Sequence, residues 1–145
     1  MDIDFLIVGV HAILHMAAPT INPEITKAST QMIGPTVTST MNLMESALAH
    51  AGPELQIFVY TSSAAACITP GAQAPYVYND DSWNVIHPEL VARDGDNVPI
   101  FTSYPVAKIR AEKYVWSIHE QKVCAILIAV RMLLSLLFSS NAYCL

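Results

Sequence analysis

The sequence LQIFVYTSSA, residues 55–64, begins as an apolar, β-rich run and ends in small and hydroxyl-bearing residues. A short apolar run without strict alternation is typical of a strand that is buried on both faces of a parallel sheet. In sheets of this kind the ligand site lies outside the carboxyl ends of the strands. The pattern therefore predicts a strand over Leu55 to Thr61, and the small residues up to Ala66 follow where such a strand would open into a site.

A second segment, TSYPVAK, begins at Thr102 and places a phenol and an ammonium four residues apart. Thr102 or Ser103 can cap a helix here, and Pro105 suits the first turn of that helix. Residues i and i+4 share a helical face, so Tyr104 and Lys108 are expected to point the same way. A fixed cation favours phenolate over phenol, whose free pKa is ~10, and brings it towards the range of acid/base catalysis. Lys108 is the candidate cation.

The remaining elements are predicted from the periodicity of apolar residues and from the Gly and Pro residues that end helices and strands. Helix-strand alternation with short strands argues for right-handed crossovers and a parallel sheet. In the first helix, apolar residues recur along one predicted face, namely Val37, Met41, Met44 and Leu48. We expect strands over Ala12 to Met16 and Val123 to Val130, helices over Thr36 to Ala49 and Thr102 to Gln121, and a long loop from about Ala65 to Ile100.

A tyrosine and a lysine at this spacing are weak evidence alone, but five segments together resemble one family. The chain resembles the extended short-chain dehydrogenase/reductase superfamily, of the NAD-dependent epimerase/dehydratase type, and within it the dihydroflavonol-reductase-like and fungal ketoreductase group. The segments follow the family order: AILHMAAP (12–19), PTVTSTMNLMESALAHAG (35–52), VYTSSAAA (59–66), YNDDSWN (78–84) and YPVAKIRAEKYVW (104–116). The resemblance implies an α/β fold, a partial Rossmann-like doubly wound parallel sheet that makes residues 1–145 one incomplete NAD(P)-binding domain.

The resemblance also implies an activity, the NAD(P)H-dependent reduction of a ketone or aldehyde by a Ser-Tyr-Lys mechanism. Tyr104 would donate the proton to the substrate oxygen, and Ser63 would orient the carbonyl. Lys108 would lower the pKa of the tyrosine and hydrogen-bond the nicotinamide ribose. The implied partner is a small-molecule carbonyl substrate. A sugar epimerase of the same superfamily is less favoured, because the SSAAA and DDSWN segments are closer to the reductases.

The implied cofactor is NADP, or NAD. By the resemblance its contacts include the exit of the first strand, at Met16, Ala17 and Ala18, together with Tyr104 and Lys108. The superfamily holds the pyrophosphate with a Gly-rich turn at a helix N-terminus. No GxxGxxG can be written from the glycines of this sequence, which stand at positions 9, 34, 52, 71 and 95. We therefore expect a fragment that lacks the Gly-rich half and is inactive by itself.

Composition narrows the class of protein. The 145 residues suffice for one domain, and 53% hydrophobic against 13% charged residues suits a buried parallel sheet. A net charge of −5 without a basic cluster argues against nucleic-acid binding. Three widely spaced cysteines and scattered histidines suggest neither a disulfide framework nor a metal site. His15 is expected to be packed and hydrogen-bonded, and the thiols point to a reduced, cytoplasmic setting.

The alternative from another class is a non-catalytic remnant, which the divergent hydrophobic end at about 123–145 could associate with a membrane. The apolar run Val123 to Phe138 is broken by Arg131 and Ser135, whereas a spanning helix needs ~20 residues, so a membrane is disfavoured. A serine hydrolase is dropped because GxSxG is absent. Without a partner strand, Ala12 to Met16 would form an open sheet edge, which predicts self-association.

Overall fold

The computed structural model describes residues 4–73, 75–121 and 127–130, and its centre is a parallel sheet. The strand order is sequential, so the second strand lies between the other two. Ala12 lies opposite Ile57, and Phe58 lies opposite Leu127. The α/β fold class and the side-by-side parallel strands are therefore confirmed. The strands are β1 (Ala12–His15), β2 (Ile57–Thr61) and β3 (Leu127–Val130).

Three α-helices connect and cover these strands within the described residues. A π-helical segment at Ser29–Ile33 leads without a break into the first of them, so that this helix begins earlier than the sequence predicts. Of the apolar run 123–138, the structure describes Leu127–Val130 as a strand, and the other residues of that run lie outside the described part. The helices are α1 (Gly34–His50), α2 (Ile86–Asp94) and α3 (Ile100–Gln121).

The core lies between one face of the sheet and the helices α1 and α3. Successive strand side chains point to opposite faces, and on β1 Ile13 and His15 are buried whereas their neighbours are exposed. Phe58 and Tyr60 of β2 are buried on the same side. The helices contribute Met44 and Ala47 from α1 and Ala111 and Val115 from α3.

The buried face of α1 differs from the predicted one. Met44 is buried as expected, but Leu48 is 41% exposed. Thr36 and Thr40 take inward positions instead, because each hydroxyl donates to the carbonyl four residues earlier, at 2.7 and 2.9 Å. A hydroxyl that is satisfied inside its own helix can be buried at little cost, which apolar periodicity does not register.

The predicted start of α3, at Thr102, is wrong by two residues. The helix begins at Ile100, so Thr102 and Ser103 lie inside its first turn and do not cap it. The Ser103 hydroxyl donates to the Ile100 carbonyl at 2.8 Å. Pro105 is the sixth residue of the helix and removes one backbone N–H there. The carbonyl left without that donor belongs to Phe101, which lies at the exposed start of the helix.

The predicted loop from Ala65 to Ile100 contains the helix α2, so the loop prediction is corrected. Asn84 is buried and fixes the chain before this helix. Its backbone N–H donates to the Ala66 carbonyl at 2.8 Å, and its side-chain amide donates to the Ala65 carbonyl at 3.1 Å. Its side-chain oxygen accepts the His87 backbone N–H at 3.2 Å. One asparagine thus ties the segment after β2 to the first turn of α2.

Candidate active site

A cavity of about 590 Å³ opens at the carboxyl ends of β1 and β2. Its walls come from three separate parts of the chain: the segment after β1, the end of β2 with the residues that follow, and the first three turns of α3. The predicted residues Ser63, Tyr104 and Lys108 all line it. The segment after β1 contributes Met16, Ala18, Pro19, Thr20 and Ile21, and the end of β2 also contributes Thr61 and Ser62.

Ser63 is held in place by the short 3₁₀ helix that follows it, at Ala64–Ala66. The residue is in an extended conformation, and its hydroxyl oxygen accepts the backbone N–H of Ala65 at 3.2 Å. A serine in this capping position has a fixed side chain. Because the oxygen accepts in that bond, the hydroxyl proton is available for donation into the cavity.

Lys108 is buried, with 3% of the residue exposed. Its Nζ donates to the backbone carbonyl of Thr61 at 2.9 Å and lies 5.3 Å from the centre of the Tyr60 ring. An ammonium at this distance from a ring is attracted by the electrons of the ring face. Burial lowers the pKa of Lys108, and the Glu112 carboxylate opposes that shift. The ammonium keeps two further N–H donors beyond the bond to Thr61.

The two phenols near Lys108 differ in access to the cavity. Tyr104 is half-buried and lines the cavity, whereas Tyr60 is fully buried. Burial raises the pKa of Tyr60, the charges of Glu112 and Tyr104 raise it further, and Thr40 opposes the rise. No atom of the described residues meets hydrogen-bond geometry with the Tyr60 hydroxyl. Tyr60 therefore stays neutral, and Tyr104 is the phenol that can exchange a proton with a ligand.

A buried polar network lies behind the cavity. His15 Nε2 and the Thr40 hydroxyl are 2.9 Å apart, and because that hydroxyl donates to Thr36, its oxygen accepts from the histidine. The prediction that His15 is packed and hydrogen-bonded is confirmed. The Ser62 hydroxyl donates to the Glu112 carboxylate at 2.5 Å, a contact that sequence reasoning missed. An acid four residues after Lys108 on the same helical face was the available signal.

The predicted cofactor contacts after β1 are placed as follows. Met16 is 64% exposed and lines the cavity together with Ala18. Ala17 is exposed and is not among the cavity-lining residues. In the described part of the chain, no three histidine, cysteine or acidic side chains are grouped so that they could hold a metal ion.

Comparison with known proteins places this geometry in a family. A model of an NAD-binding family described as Male sterility protein matches residues 1–135. The chain belongs to this family. It is thereby a member of the extended short-chain dehydrogenase/reductase superfamily, as the five segments predicted. None of the curated proteins matches the chain.

Solved structures share the fold. Yeast methylglyoxal/isovaleraldehyde reductase Gre2, complexed with NADPH, is 23% identical with a TM-score of 0.76, over 89% of this chain and 39% of that one. Gre2 from Candida albicans in complex with NADPH is 24% identical with a TM-score of 0.69, over 83% and 35%. UDP-glucose-4-epimerase from Stenotrophomonas maltophila with bound NAD is 18% identical with a TM-score of 0.63, over 89% and 33%. The chain thus spans about two fifths of the length of the yeast reductase and about one third of the length of the other two proteins.

The cavity residues suit the nicotinamide-ribose end of a dinucleotide. The volume of about 590 Å³ lies within the range of ~300 to 1,000 Å³ typical of small-molecule sites. Lys108 offers N–H donors to ribose hydroxyls, and the small side chain of Ala18 lets a ligand approach the backbone.

None of the helices in the described part of the chain is long and apolar enough to cross a membrane.

Proposed function

We propose that this chain carries the catalytic residues of an NAD(P)H-dependent reductase that converts a ketone or aldehyde to an alcohol. The observation that supports it most is the convergence of Ser63, Tyr104 and Lys108 on one cavity. These residues come from the end of β2 and from α3, which are some forty positions apart in the sequence. Chance placement of a phenol, a buried ammonium and a helix-capping serine at one strand end is a weaker explanation than a shared task.

Each residue has one task in the proposed reaction. A reduced nicotinamide supplies the hydride when it is bound. The Ser63 hydroxyl donates a hydrogen bond to the carbonyl oxygen and fixes its direction. Tyr104 transfers its phenol proton to that oxygen, and the Lys108 ammonium stabilises the phenolate that remains. A proton from solvent then restores the phenol.

We propose NADPH, or NADH, as the cofactor and a small carbonyl compound as the substrate. Met16, Pro19 and Ile21 contribute apolar side chains to the cavity lining, which favours an uncharged carbonyl substrate. The proposed compartment is the cytoplasm. In support of it, the three cysteines of the sequence are widely spaced, which suits reduced thiols inside a cell.

The decisive experiment compares two Tyr→Phe changes on α3. Because the chain is expected to be inactive with NADPH or NADH by itself, carbonyl reduction is followed mainly by the oxidation of reduced nicotinamide mononucleotide at high concentration, which needs only the nicotinamide end of the site, and NADPH and NADH are compared with it. Tyr104→Phe should slow turnover by about 10²- to 10⁴-fold, because it removes the proton donor. Tyr114→Phe, a matched control whose hydroxyl bonds Glu45 away from the cavity, should leave turnover within about 2-fold. Near-parental turnover for Tyr104→Phe would contradict the assignment.

Cofactor binding separates the reductase from a non-catalytic remnant. We expect weak NADPH binding, because a Gly-rich pyrophosphate turn cannot be written from this sequence. Lys108→Met should weaken it further. Cofactor fluorescence measures both, and saturable binding at low micromolar concentration would show that the pyrophosphate is held in another way. A folded chain that neither binds nor oxidises any of the three donors would favour the remnant.

A further inference from the structure

Glu112 is the one buried carboxylate among the described side chains, with 1% of the residue exposed. It follows Lys108 by four positions on α3, so the two side chains share a helical face that is turned towards the end of β2. An isolated carboxylate in such a place is strongly disfavoured. Its carboxylate accepts hydrogen bonds from the Ser62 hydroxyl at 2.5 Å and from the Trp116 indole N–H at 3.4 Å.

The groups that face Lys108 come from three elements. β1 contributes His15, β2 contributes Tyr60, and α3 contributes Tyr104 and Glu112. His15 is neutral at pH 7, because burial and the charge of Lys108 both lower its pKa. Tyr60 is neutral because burial raises its pKa. Glu112 is therefore the acid in this set that can balance the ammonium.

We propose that Glu112, oriented by Ser62, is the counter-charge that keeps Lys108 protonated in its buried position. Glu112 does not line the cavity and acts through Lys108, so it is a positioning residue. Ser62 and Ser63 both line the cavity but then have separate tasks: the Ser63 hydroxyl is available to a ligand, whereas the Ser62 hydroxyl donates to Glu112. The importance of this pair for turnover rests on the proposed function, but the pairing of charges does not.

The first test measures the pKa of Lys108 by NMR in protein labelled with ¹³C at the lysine ε-carbon. Glu112→Gln keeps the shape and an acceptor for Ser62 but removes the charge, and should lower the pKa of Lys108 by about one to two pH units. Ser62→Ala should lower it by less. Glu89→Gln, the same charge change at an exposed position of α2, should leave it within about 0.3 units. An unchanged value in Glu112→Gln would overturn the proposal.

A second measurement covers the case in which Glu112→Gln folds poorly. Lys108→Met removes the ammonium that the proposal pairs with the buried Glu112 carboxylate, so it should lower the melting temperature. Adding Glu112→Gln to Lys108→Met should then raise the melting temperature above that of Lys108→Met alone. Additive losses, with the double variant melting lowest, would show that the two residues are not a charge pair.

The same variants separate the two proposals. In one outcome, Glu112→Gln lowers the pKa of Lys108 and also shifts to lower pH the point at which turnover declines on the alkaline side. In that case both the reductase and the counter-charge proposals stand. If the pKa falls but the parent protein reduces no carbonyl compound with any donor, the counter-charge stands and the reductase fails. If Tyr104→Phe abolishes turnover while the pKa of Lys108 ignores Glu112, the reductase stands and the counter-charge fails.

Discussion

The two faces of the sheet differ in how far their side chains are buried. On β1, Ile13 and His15 are buried beneath α1 and α3, whereas Leu14 between them is 62% exposed. The partner strand β2 shows the same alternation in weaker form, because Ile57 and Val59 are half-buried. The cavity is built by strand ends and by α3, which belongs to the covered side. The geometry of the site therefore depends on the covered face, whereas the open face and the outer edge of β1 are where we expect association.

The largest expected effect is on the assembly state. The outer edge of β1 has no neighbouring strand among those described, and the exposed Leu14 and Met16 lie beside it. An open edge with apolar neighbours is a template for association. We expect oligomers at micromolar concentration, measured by size-exclusion chromatography with light scattering.

Two lysine substitutions locate the contact. Leu14→Lys should shift the population towards monomer, because a charge on an edge strand opposes pairing. Thr38→Lys, the same added charge on an exposed position of α1, should leave the oligomers as they are. A monodisperse monomer of the parent chain with a sharp cooperative melt would contradict the prediction.

The next prediction compares the stability cost of truncating two neighbouring side chains of β1. Ile13→Ala removes a buried side chain from the core and should cost about 2 to 4 kcal/mol of unfolding free energy. Leu14→Ala, one residue along on the open face, should cost about 0.5 kcal/mol or less. Urea unfolding measures both. Equal losses would mean that the open face is covered in solution.

The covered face was largely predictable because its signals are local. The apolar run that forms β2 and the spacing of Tyr104 and Lys108 can each be read within a few residues. The helix α2 was missed because none of its residues is fully buried, so it carries little apolar periodicity. The bond between Ser62 and Glu112 joins positions 50 residues apart, and no local pattern encodes it.

A smaller effect is the dependence of stability on pH. Burial, followed by the charge of Lys108, lowers the pKa of His15 below its unfolded value of 6.5. The unfolded chain therefore binds the proton more readily, and stability falls as pH drops below about 6.5 until the folded-state pKa is passed. The loss is at most about 1.4 kcal/mol per pH unit for one histidine.

His15→Gln isolates this contribution. The amide can still donate to Thr40 but cannot titrate, so stability should fall less between pH 7 and pH 5 than in the parent. Burial also lowers the pKa of His87, and because His87 is present in both proteins, its effect cancels in the difference. Identical pH profiles of the two unfolding free energies would show that His15 is not the sensor.

The smallest effect concerns the Tyr60 hydroxyl, which among the described residues is the one buried side-chain nitrogen or oxygen atom without a hydrogen-bond partner. Leaving a hydroxyl unsatisfied costs about 1 to 3 kcal/mol, whereas removing it leaves a ring of the same shape. Tyr60→Phe should therefore raise the unfolding free energy by up to about 1 kcal/mol, and the ring should still meet Lys108 from the same side. Chemical denaturation gives the difference. A loss of more than about 1 kcal/mol would mean that the hydroxyl is hydrogen-bonded in solution, most simply by an internal water between Tyr60 and Thr40.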